Sequence, residues 1–289
     1  MNRRDFLKIL GLLCLGDHMW ARSLHGKDVP AKAVADGEGC WTIVSDSHIG
    51  YPGSDYTAFI QAIEKEKIKV IVHVGDAINK PGSGDEWRRF FEITGPGKKL
   101  HLVPGNHDIR GEESLRTYLT LFPEPYYSFS EGDTLFVILC TEFPGEEGRI
   151  AGKQLAWVAT ELQRPFPYKF VFLHEPLFGL IPGHGLNRHP ETRDHLHRLF
   201  VENGVSLVVA GHDHIYDRKT IDGIIYVIDG RTGGIPVPGG IGNGHPLCYT
   251  LATRKKEGYS FTVREKDGTV TDRFSLTTVS LGALKANLP

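Results

Sequence analysis

The chain has few cysteines, and none of them forms a recognisable metal-binding or disulfide pattern. Only 4 of its 289 residues are cysteine and no CxxC pair occurs, which excludes a zinc knuckle. Cys14 lies in an apolar N-terminal segment, and the other three, Cys40, Cys140 and Cys248, are far apart. Three widely spaced cysteines define no disulfide framework, so we expect them to be small buried apolar residues in strands.

The chain also lacks an excess of either charge. Its formal net charge is −2 and 24% of its residues are charged, so no general basic field is present to hold a nucleic acid backbone. The length fits one sizeable α/β domain and leaves little room for an added DNA-binding domain. We therefore expect no nucleic acid polymer as partner, and a processive nuclease is disfavoured.

No apolar run is long enough to predict a transmembrane helix with any assurance. The N-terminal run, Ile9 to Leu15, is far shorter than the roughly 20 residues that such a helix needs. It follows Arg3 and Arg4, and the string Arg-Arg-Asp-Phe-Leu-Lys resembles the twin-arginine export signal of bacteria, although Asn2 stands where Ser or Thr is usual. We predict that residues 1–22 are an export signal, or a membrane anchor if uncleaved. The alternative is a basic amphipathic helix on a cytosolic protein.

The remaining chain alternates strand and helix patterns. Residues 23–39 resemble a linker, and residues 40–289 are predicted to form one domain without internal repeats. Apolar runs predict strands over 40–45, 69–74, 100–103, 126–129, 134–140, 170–173, 205–210 and 224–228. Helical spacing predicts helices over 57–67, 84–94, 113–121, 153–162 and 191–203. Loops over 175–190 and 230–244, and short strands within 247–280, complete the pattern.

What the chain has in abundance is glycine and histidine, 34 and 14 residues, and many histidines lie in five short strings. These strings are Asp46-Ser47-His48, Gly75-Asp76, Gly105-Asn106-His107-Asp108, His174, and Gly211-His212-Asp213-His214. Each follows a predicted strand, and ligands of α/β sheets bind at the carboxyl ends of strands. The first three strings are thirty residues apart, about one βαβ unit each, so we expect them to converge at one sheet edge.

The residue types in these strings suit divalent metal ions of hard or borderline character. Asp46 and His48 are two residues apart, as are His212 and His214, which places each pair on one side of an extended strand end. Asp76, a lone carboxylate, is suited to bridge two ions. Glycines at 75, 105 and 211 permit close approach of the backbone to the site.

Two carboxylates, one amide and four imidazoles suit two ions rather than one. A two-metal site can hold a hydroxide between its ions, and it predicts in-line displacement at phosphorus. His107 is not needed as a ligand, so its imidazole can stabilise the transition state or protonate the leaving alkoxide. Asp108 is predicted to orient His107, as a carboxylate fixes an imidazole tautomer.

The ordered set of motifs resembles the calcineurin-like metallophosphoesterase superfamily from about residue 40 to about residue 235. The helix segment Gln154-Leu155-Ala156-Trp157 is similar to secreted and bacterial members. The resemblance implies an α/β fold, a four-layer αββα sandwich of two mixed sheets flanked by helices. It also implies one metal held by Asp46, His48, Asp76 and His214, and another held by Asp76, Asn106, His174 and His212.

The resemblance gives His107 and Asp108 the role of catalytic acid pair. The metal-binding tyrosine of purple acid phosphatases is absent from Ala77-Ile78-Asn79, so their iron chromophore is not expected. Nitrogen and oxygen ligands leave metal identity open, with manganese, iron and zinc preferred. Export by the twin-arginine route, which carries folded proteins, would let such an enzyme load its metals before it reaches the periplasm or the extracellular space.

Several residues outside the ligand set are candidates for substrate binding. Asn106, His184, Arg188, His189 and Arg231 lie in the ligand strings or in the loops that follow His174 and the 224–228 strand. The alternative for the 184–189 group is a solvated loop rich in turn residues. His73 and His101 fall inside predicted strands, where we expect packed side chains rather than ligands.

The leading functional prediction is hydrolysis of a small phosphomonoester or phosphodiester. A cyclic-nucleotide phosphodiesterase is one alternative, because the motifs act only on the shared phosphoryl group. A protein phosphatase would need a shallow surface groove, which no motif predicts. An inactive metal-binding recognition domain is the alternative from another class, and the presence of Asp76, Asn106 and His107 argues against it. A membrane partner is expected only through an uncleaved N-terminal segment.

Overall fold

The computed structural model describes residues 39–233 and 245–277. The predicted signal or anchor over residues 1–22, nearly all of the predicted linker and part of the 230–244 loop lie outside these ranges. No helix within the two described ranges is long and apolar enough to cross a membrane.

The described chain forms two six-stranded mixed sheets and five α-helices. The strands are β1 (Cys40–Val44), β2 (Val70–His73), β3 (Lys99–Leu102), β4 (Tyr127–Glu131), β5 (Thr134–Ile138), β6 (Tyr168–Phe172), β7 (Leu207–Ala210), β8 (Tyr216–Ile221), β9 (Ile224–Asp229), β10 (Cys248–Lys255), β11 (Gly258–Glu265) and β12 (Val270–Thr277). The helices are α1 (Tyr56–Lys65), α2 (Gly84–Thr94), α3 (Gly111–Leu121), α4 (Gly152–Glu161) and α5 (Pro190–Glu202), with a 3₁₀ turn at Gly185–Arg188.

Sheet I has the strand order β12-β11-β10-β1-β2-β3, and sheet II has the order β4-β5-β6-β7-β9-β8. Strands β1, β2 and β3 are parallel neighbours, joined through α1 and α2 as two βαβ units. Strands β5, β6, β7 and β9 are also parallel, while the flanking strands are antiparallel. Each sheet therefore presents several carboxyl strand ends side by side.

Three apolar layers hold the sheets and helices together. Between the sheets, Trp41 and Ile43 of β1 pack with Phe136 of β5 and Phe172 of β6, and the Trp41 and Phe136 rings meet edge to face at 5.3 Å. A second layer joins sheet I to α1–α3, and a third joins sheet II to α4 and α5. The order helix, sheet, sheet, helix confirms the predicted four-layer αββα sandwich.

Most predicted elements are confirmed within two or three residues, and the 84–94 helix matches α2 at both ends. Two differences have physical reasons. Strand β8 was not predicted, because its sequence YDRKTI carries four polar residues on a half-exposed edge strand. The tail strands are eight residues long rather than short, because β10, β11 and β12 pair with one another along their lengths, and β10 joins them to β1 of sheet I. Cys140 and Cys248 are buried as expected, whereas Cys40 is exposed at the start of β1.

Candidate metal centre

The predicted ligands lie at the carboxyl ends of strands from both sheets. Asp46, Asp76 and Asn106 follow β1, β2 and β3 of sheet I, whereas His174 and His212 follow β6 and β7 of sheet II. The first three strings thus converge at one edge of sheet I, as expected, and the other two come from sheet II. The inner faces of the two sheets pack together, and this brings both sets of strand ends to the same end of the sandwich.

The ligand residues have an unusual backbone conformation. Seven of the described non-glycine residues have positive φ angles. Five of these seven are ligand residues with φ between 44° and 70°, namely Asp46, His48, Asp76, His212 and His214. Left-handed conformations are disfavoured for residues with a side chain, and they concentrate at functional sites. The predicted geometry, in which alternate side chains leave an extended strand, is thus wrong. Beyond the strand ends, the ligand pairs converge through left-handed turns.

The first group of side chains comprises Asp46, His48, Asp76 and His214. One ligand atom from each lies within 4.8 Å of the others, and all four residues are buried. The His48 and His214 Nε2 atoms are 3.1 Å apart, and His214 Nε2 is 3.3 Å from Asp46 Oδ1. This group matches the first ligand set that the sequence resemblance implied.

The second group shares Asp76 and adds Asn106, His174 and His212. Asn106 Oδ1 is 3.2 Å from His174 Nε2 and 2.9 Å from His212 Nδ1. Asp76 Oδ2 is 3.4 Å from His174 Nε2 and 3.6 Å from His48 Nε2. A single carboxylate oxygen of Asp76 therefore lies between the two groups, as a bridging ligand would.

The chemistry of these donors fits metal ions. The His48 and His214 Nε2 atoms, 3.1 Å apart, can form one N–H···N hydrogen bond, or both can bind the same cation when neither carries the proton. Burial alone would raise the pKa of Asp76, but His174 and His48 hold it well below its ordinary value. Burial likewise lowers the pKa of His174, but Asp76 raises it overall. The buried carboxylates thus require nearby positive charge, which metal ions would supply.

Further hydrogen bonds orient the ligands from behind. The Ser45 hydroxyl and the His212 backbone N–H both donate to the Asp46 carboxylate. The His107 backbone N–H donates to Asp76 Oδ1 at 2.7 Å, and the His174 ring Nδ1–H donates to the Val74 carbonyl at 2.9 Å. Such partners fix imidazole tautomers and carboxylate rotamers, and here they leave His174 Nε2 for a metal.

Glycines make this crowding possible, as the sequence predicted. A Cβ atom on Gly75 would lie 2.3 Å from His174 Nδ1, and its φ of 93° is itself unfavourable for other residues. A Cβ on Gly105 would lie 2.3 Å from Asp76 Oδ1, and a Cβ on Gly211 would lie 2.6 Å from Asp46 Oδ2. The predicted close approach of backbone to the site is confirmed at all three positions.

His107 lies beside the first group, but Asp108 does not orient it. The His107 ring is perpendicular to His48 at a centroid distance of 4.7 Å, and its Nδ1–H donates to the Asn79 carbonyl at 2.6 Å. The fully buried Asp108 carboxylate instead accepts from the backbone N–H groups of Ala77, Ile78 and Gly105, at 2.9, 3.2 and 2.9 Å. The predicted pairing of these two residues is corrected, because three backbone donors occupy the carboxylate of Asp108.

Two of the predicted substrate residues border the ligands. The His184 ring stacks on His212 at 4.0 Å, and His184 Nδ1 is 2.7 Å from the buried carboxylate of Asp213. Asp213 Oδ2 also accepts from the Leu180 N–H at 2.8 Å. Arg231 donates to the backbone carbonyl of His214, and burial lowers the pKa of its guanidinium. His184 therefore lies beside a ligand of the second group, and Arg231 lies beside the backbone of a ligand of the first group.

Asn106 is itself a member of the second group, and the remaining two predicted substrate residues, Arg188 and His189, are not brought to the ligands. Arg188 is paired with the carboxylate of Glu175, from Arg188 Nη2 to Glu175 Oε1 at 2.7 Å. His189 precedes α5, where its side chain makes no cap hydrogen bond. Sequence reasoning missed the contributions of Ser45 and Thr232, whose hydroxyls donate to Asp46 and to the Ser45 carbonyl. Their only signal was adjacency to a ligand string and to Arg231.

The structure is thus an αββα sandwich with a buried cluster of aspartates and histidines at the carboxyl ends of its strands, and this combination defines a class of metal-binding proteins. A sequence model of the calcineurin-like phosphoesterase family matches residues 42–216, more than half of the chain. The chain belongs to this family.

Two curated relatives illustrate the similarity. Human serine/threonine-protein phosphatase CPPED1 is 29% identical over 198 residues, covering 60% of this chain and 63% of the relative. Phosphoenolpyruvate phosphatase from Allium cepa is 27% identical over 210 residues, covering 62% of this chain and 43% of the relative. The chain thus spans less than two thirds of the length of these relatives.

Solved structures support the fold. A purple acid phosphatase from yellow lupin aligns with a TM-score of 0.69 at 20% identity, over 86% of this chain and 55% of that chain. GAP50 of Plasmodium aligns with a TM-score of 0.66 at 16% identity, over 87% of this chain and 95% of that chain. A dimetal phosphatase from Danio rerio aligns with a TM-score of 0.61 at 15% identity, over 83% of this chain and 98% of that chain.

Proposed function

We propose that this protein is a metal-dependent hydrolase of phosphoesters. The observation that carries the proposal is the position of Asp76, whose Oδ2 is 3.6 Å from His48 Nε2 and 3.4 Å from His174 Nε2. One carboxylate between two groups of nitrogen and oxygen donors is the arrangement that holds a pair of metal ions. Membership of the calcineurin-like phosphoesterase family supports the same reaction class.

In this proposal one ion is held by Asp46, His48, Asp76 and His214, and the other by Asp76, Asn106, His174 and His212. Such a pair, when bound, supplies an activated water and neutralises charge on the phosphoryl group. Nitrogen and oxygen donors without cysteine fit manganese, iron or zinc. Metal analysis of protein purified without chelators identifies the ion.

His107 is the proposed proton donor to the leaving group. Because its Nδ1–H is given to the Asn79 carbonyl, Nε2 is the atom that can carry a transferable proton. The ring lies at the edge of the metal centre and is only half-buried, so a substrate can reach it. General acid catalysis of this kind contributes about 100-fold to 10,000-fold in rate.

Substrate phosphate is proposed to contact Asn106, His184 and Arg231. His184 Nδ1 lies 2.7 Å from the buried Asp213 carboxylate, and the stacking of His184 on His212 places its ring beside the second group. Arg231 adds a permanent positive charge beside His214. An imidazole N–H donor and a guanidinium group beside the ligands suit the dianionic charge of a phosphomonoester.

The names of the curated relatives also favour a monoester. Both the human and the onion relatives are named as phosphatases, and one of them as a protein phosphatase. We therefore propose a small phosphomonoester as substrate, with a phosphodiester, cyclic nucleotide or phosphoserine peptide as the competing choices. The alternative of a recognition domain has one structural precedent, since GAP50 of similar fold is described as an anchor in a membrane complex.

Steady-state hydrolysis of four compounds separates these possibilities. The metal-reconstituted protein is given p-nitrophenyl phosphate, bis-p-nitrophenyl phosphate, a cyclic nucleotide and a phosphoserine peptide. The proposal predicts the largest kcat/KM for the monoester and a loss of turnover in His107→Ala with metal content unchanged. Hydrolysis of none of the four with manganese, zinc or iron present would refute the enzyme proposal and favour recognition.

We also propose export of the protein, to the periplasm or the extracellular space, through residues 1–22. The support is the Arg3-Arg4 pair before an apolar run, with Asn2 preceding it. Fractionation of cells expressing the full chain is the test, with Arg3→Lys/Arg4→Lys as the matched variant. Cytoplasmic retention of the variant alone supports the twin-arginine route, whereas retention of both forms contradicts it.

A further inference from the structure

The loop that follows Asp76 is held by a glutamate that belongs to neither ligand group. Glu86 lies in the first turn of α2, and its Oε2 accepts from the backbone N–H groups of Asn79 and Lys80, at 2.9 and 2.7 Å. The Asn79 carbonyl in turn accepts from His107 Nδ1–H at 2.6 Å. Glu86 is therefore connected to the proposed proton donor through one peptide segment.

The side chain of Glu86 departs from its usual local role. Ser83 caps α2 and accepts from the Glu86 N–H at 3.3 Å, which is half of a capping box. In the complete motif the glutamate would bind the Ser83 N–H, but that N–H donates to the Lys80 carbonyl instead. The carboxylate is thus directed away from its own helix and onto the Asn79–Lys80 backbone.

The surrounding structure makes room for this contact. A Cβ atom on Gly50 would lie 2.4 Å from the Glu86 carboxylate, so any larger residue there would displace it. The other end of the loop is held by Asp108, which accepts from the N–H groups of Ala77 and Ile78. Asp108 therefore holds the loop before the Asn79 carbonyl, and Glu86 holds it at the Asn79–Lys80 peptide. The Ile49 carbonyl also accepts from the Asn79 N–H, at 2.9 Å, which leaves the Lys80 N–H as the contact that depends on Glu86.

We propose that Glu86 is a positioning residue for His107. It fixes the Asn79 carbonyl and thereby the tautomer and orientation of the imidazole. This inference rests on the proposed function, because it assigns Glu86 to the proton transfer that His107 performs. Glu86 itself does not contact the substrate or the metal ligands in this proposal.

Three variants test the proposal in the full, metal-reconstituted protein. Glu86→Ala removes the Oε2 atom that accepts from the Asn79 and Lys80 N–H groups, and leaves the Ile49 carbonyl as an acceptor for the Asn79 N–H. Glu86→Gln keeps an amide oxygen that can still accept. Asp85→Ala is the matched control, because it removes a mostly exposed carboxylate from the same helical turn, where Asp85 pairs with Arg88. Metal content and thermal unfolding are measured for each variant, so that a lost fold or lost metal is recognised.

The kinetic comparison uses phenyl phosphate and p-nitrophenyl phosphate. Phenolate is the poorer leaving group, so its departure depends more strongly on protonation. We expect Glu86→Ala to lower kcat for phenyl phosphate by about 10-fold to 100-fold, with a smaller loss for p-nitrophenyl phosphate and little change in KM. Glu86→Gln and Asp85→Ala should remain close to wild type. Equal losses on both substrates, or an unaffected Glu86→Ala, would overturn the proposal.

A double-mutant cycle isolates the dependence on His107. If Glu86 acts through that imidazole, Glu86→Ala has no further effect on kcat in a His107→Ala background. Additive losses would instead show a role independent of His107.

Proton NMR of the metal-free protein gives a readout that does not use activity. The His107 Nδ1–H resonance, assigned by its loss in His107→Ala, should be protected in wild type and in Glu86→Gln but exchange in Glu86→Ala. An unchanged resonance in Glu86→Ala contradicts the proposal. A wild-type protein without hydrolase activity would instead refute the proposed function. The NMR result would still show whether Glu86 orients the His107 ring.

Discussion

His101 offers a quantitative test of how the two sheets are packed. It lies on β3 of sheet I with 4% of its surface exposed, and its ring stacks on Phe129 of sheet II at a centroid distance of 3.7 Å. Burial, with a smaller contribution from the charge of Lys99, lowers the pKa of His101 from 6.5 to about 3. The folded protein therefore holds this imidazole neutral under conditions in which the unfolded chain protonates it.

The sign and size of the effect follow from linkage. Because the folded pKa lies below the unfolded value, the unfolded chain binds more protons between about pH 6.5 and pH 3. The stabilising effect of a neutral His101 is complete above pH 6.5 and is lost as the pH falls toward 3. Between about pH 8 and pH 5 the loss is about 2 kcal/mol for this one residue.

Replacement of His101 by Phe should remove this loss while keeping the stacked ring. We expect the decrease in unfolding free energy between about pH 8 and pH 5 to be smaller by about 2 kcal/mol in His101→Phe than in wild type. The unfolding free energies of both proteins are measured by urea unfolding with chelator present. His195→Phe on α5 is the control, because the exposed ring of His195 is surrounded by water in the folded and in the unfolded state. An unchanged pH dependence in His101→Phe would refute the buried, neutral assignment.

Three further outcomes are expected from the site and its surroundings. Gly75→Ala should lower the metal content measured by mass spectrometry, because the new Cβ would lie 2.3 Å from His174 Nδ1; normal occupancy would contradict this contact. His184→Ala should raise KM for a phosphomonoester by about 10-fold through loss of one charge-assisted hydrogen bond, whereas His189→Ala should not; equal effects would remove the distinction. Arg188→Ala should lower the unfolding free energy by about 1–2 kcal/mol, because it leaves the Glu175 carboxylate without its partner, and a further Glu175→Gln change should restore part of it.

The strands and helices were largely predictable because the strands are short apolar runs separated by amphipathic helices, whereas the four-layer arrangement was predicted from the family resemblance. The helix α2 illustrates this, since Trp87 and Phe90 are spaced to face one side and Ser83 caps its start. Strand β8 was not predictable in the same way. Its stability comes from β9 and from the contact between Tyr216 and Asp272 of β12, at 2.7 Å, which are tertiary partners without a local sequence pattern.

The candidate site was predictable in composition but not in geometry. Residue types and strand-end positions indicated Asp46, Asp76 and the four histidines, and the structure gathers them. The left-handed backbone of Asp46 and His48 was not predictable, because tertiary hydrogen bonds such as Asp46 N–H to the Gly75 carbonyl at 3.0 Å override local preference. The Asn79 carbonyl that orients His107 was also missed, since a backbone acceptor leaves no mark in the identity of its residue.

The central claim is that Asp76 joins two metal ions into one hydrolytic centre. Metal content and phosphomonoester hydrolysis, measured on the same preparations of wild type and Asp76→Asn, test it most directly. We expect two bound metal ions per wild-type chain, and loss of at least one ion together with the activity in the variant. An active Asp76→Asn protein that retains both ions, or a wild-type protein that binds only one, would contradict it.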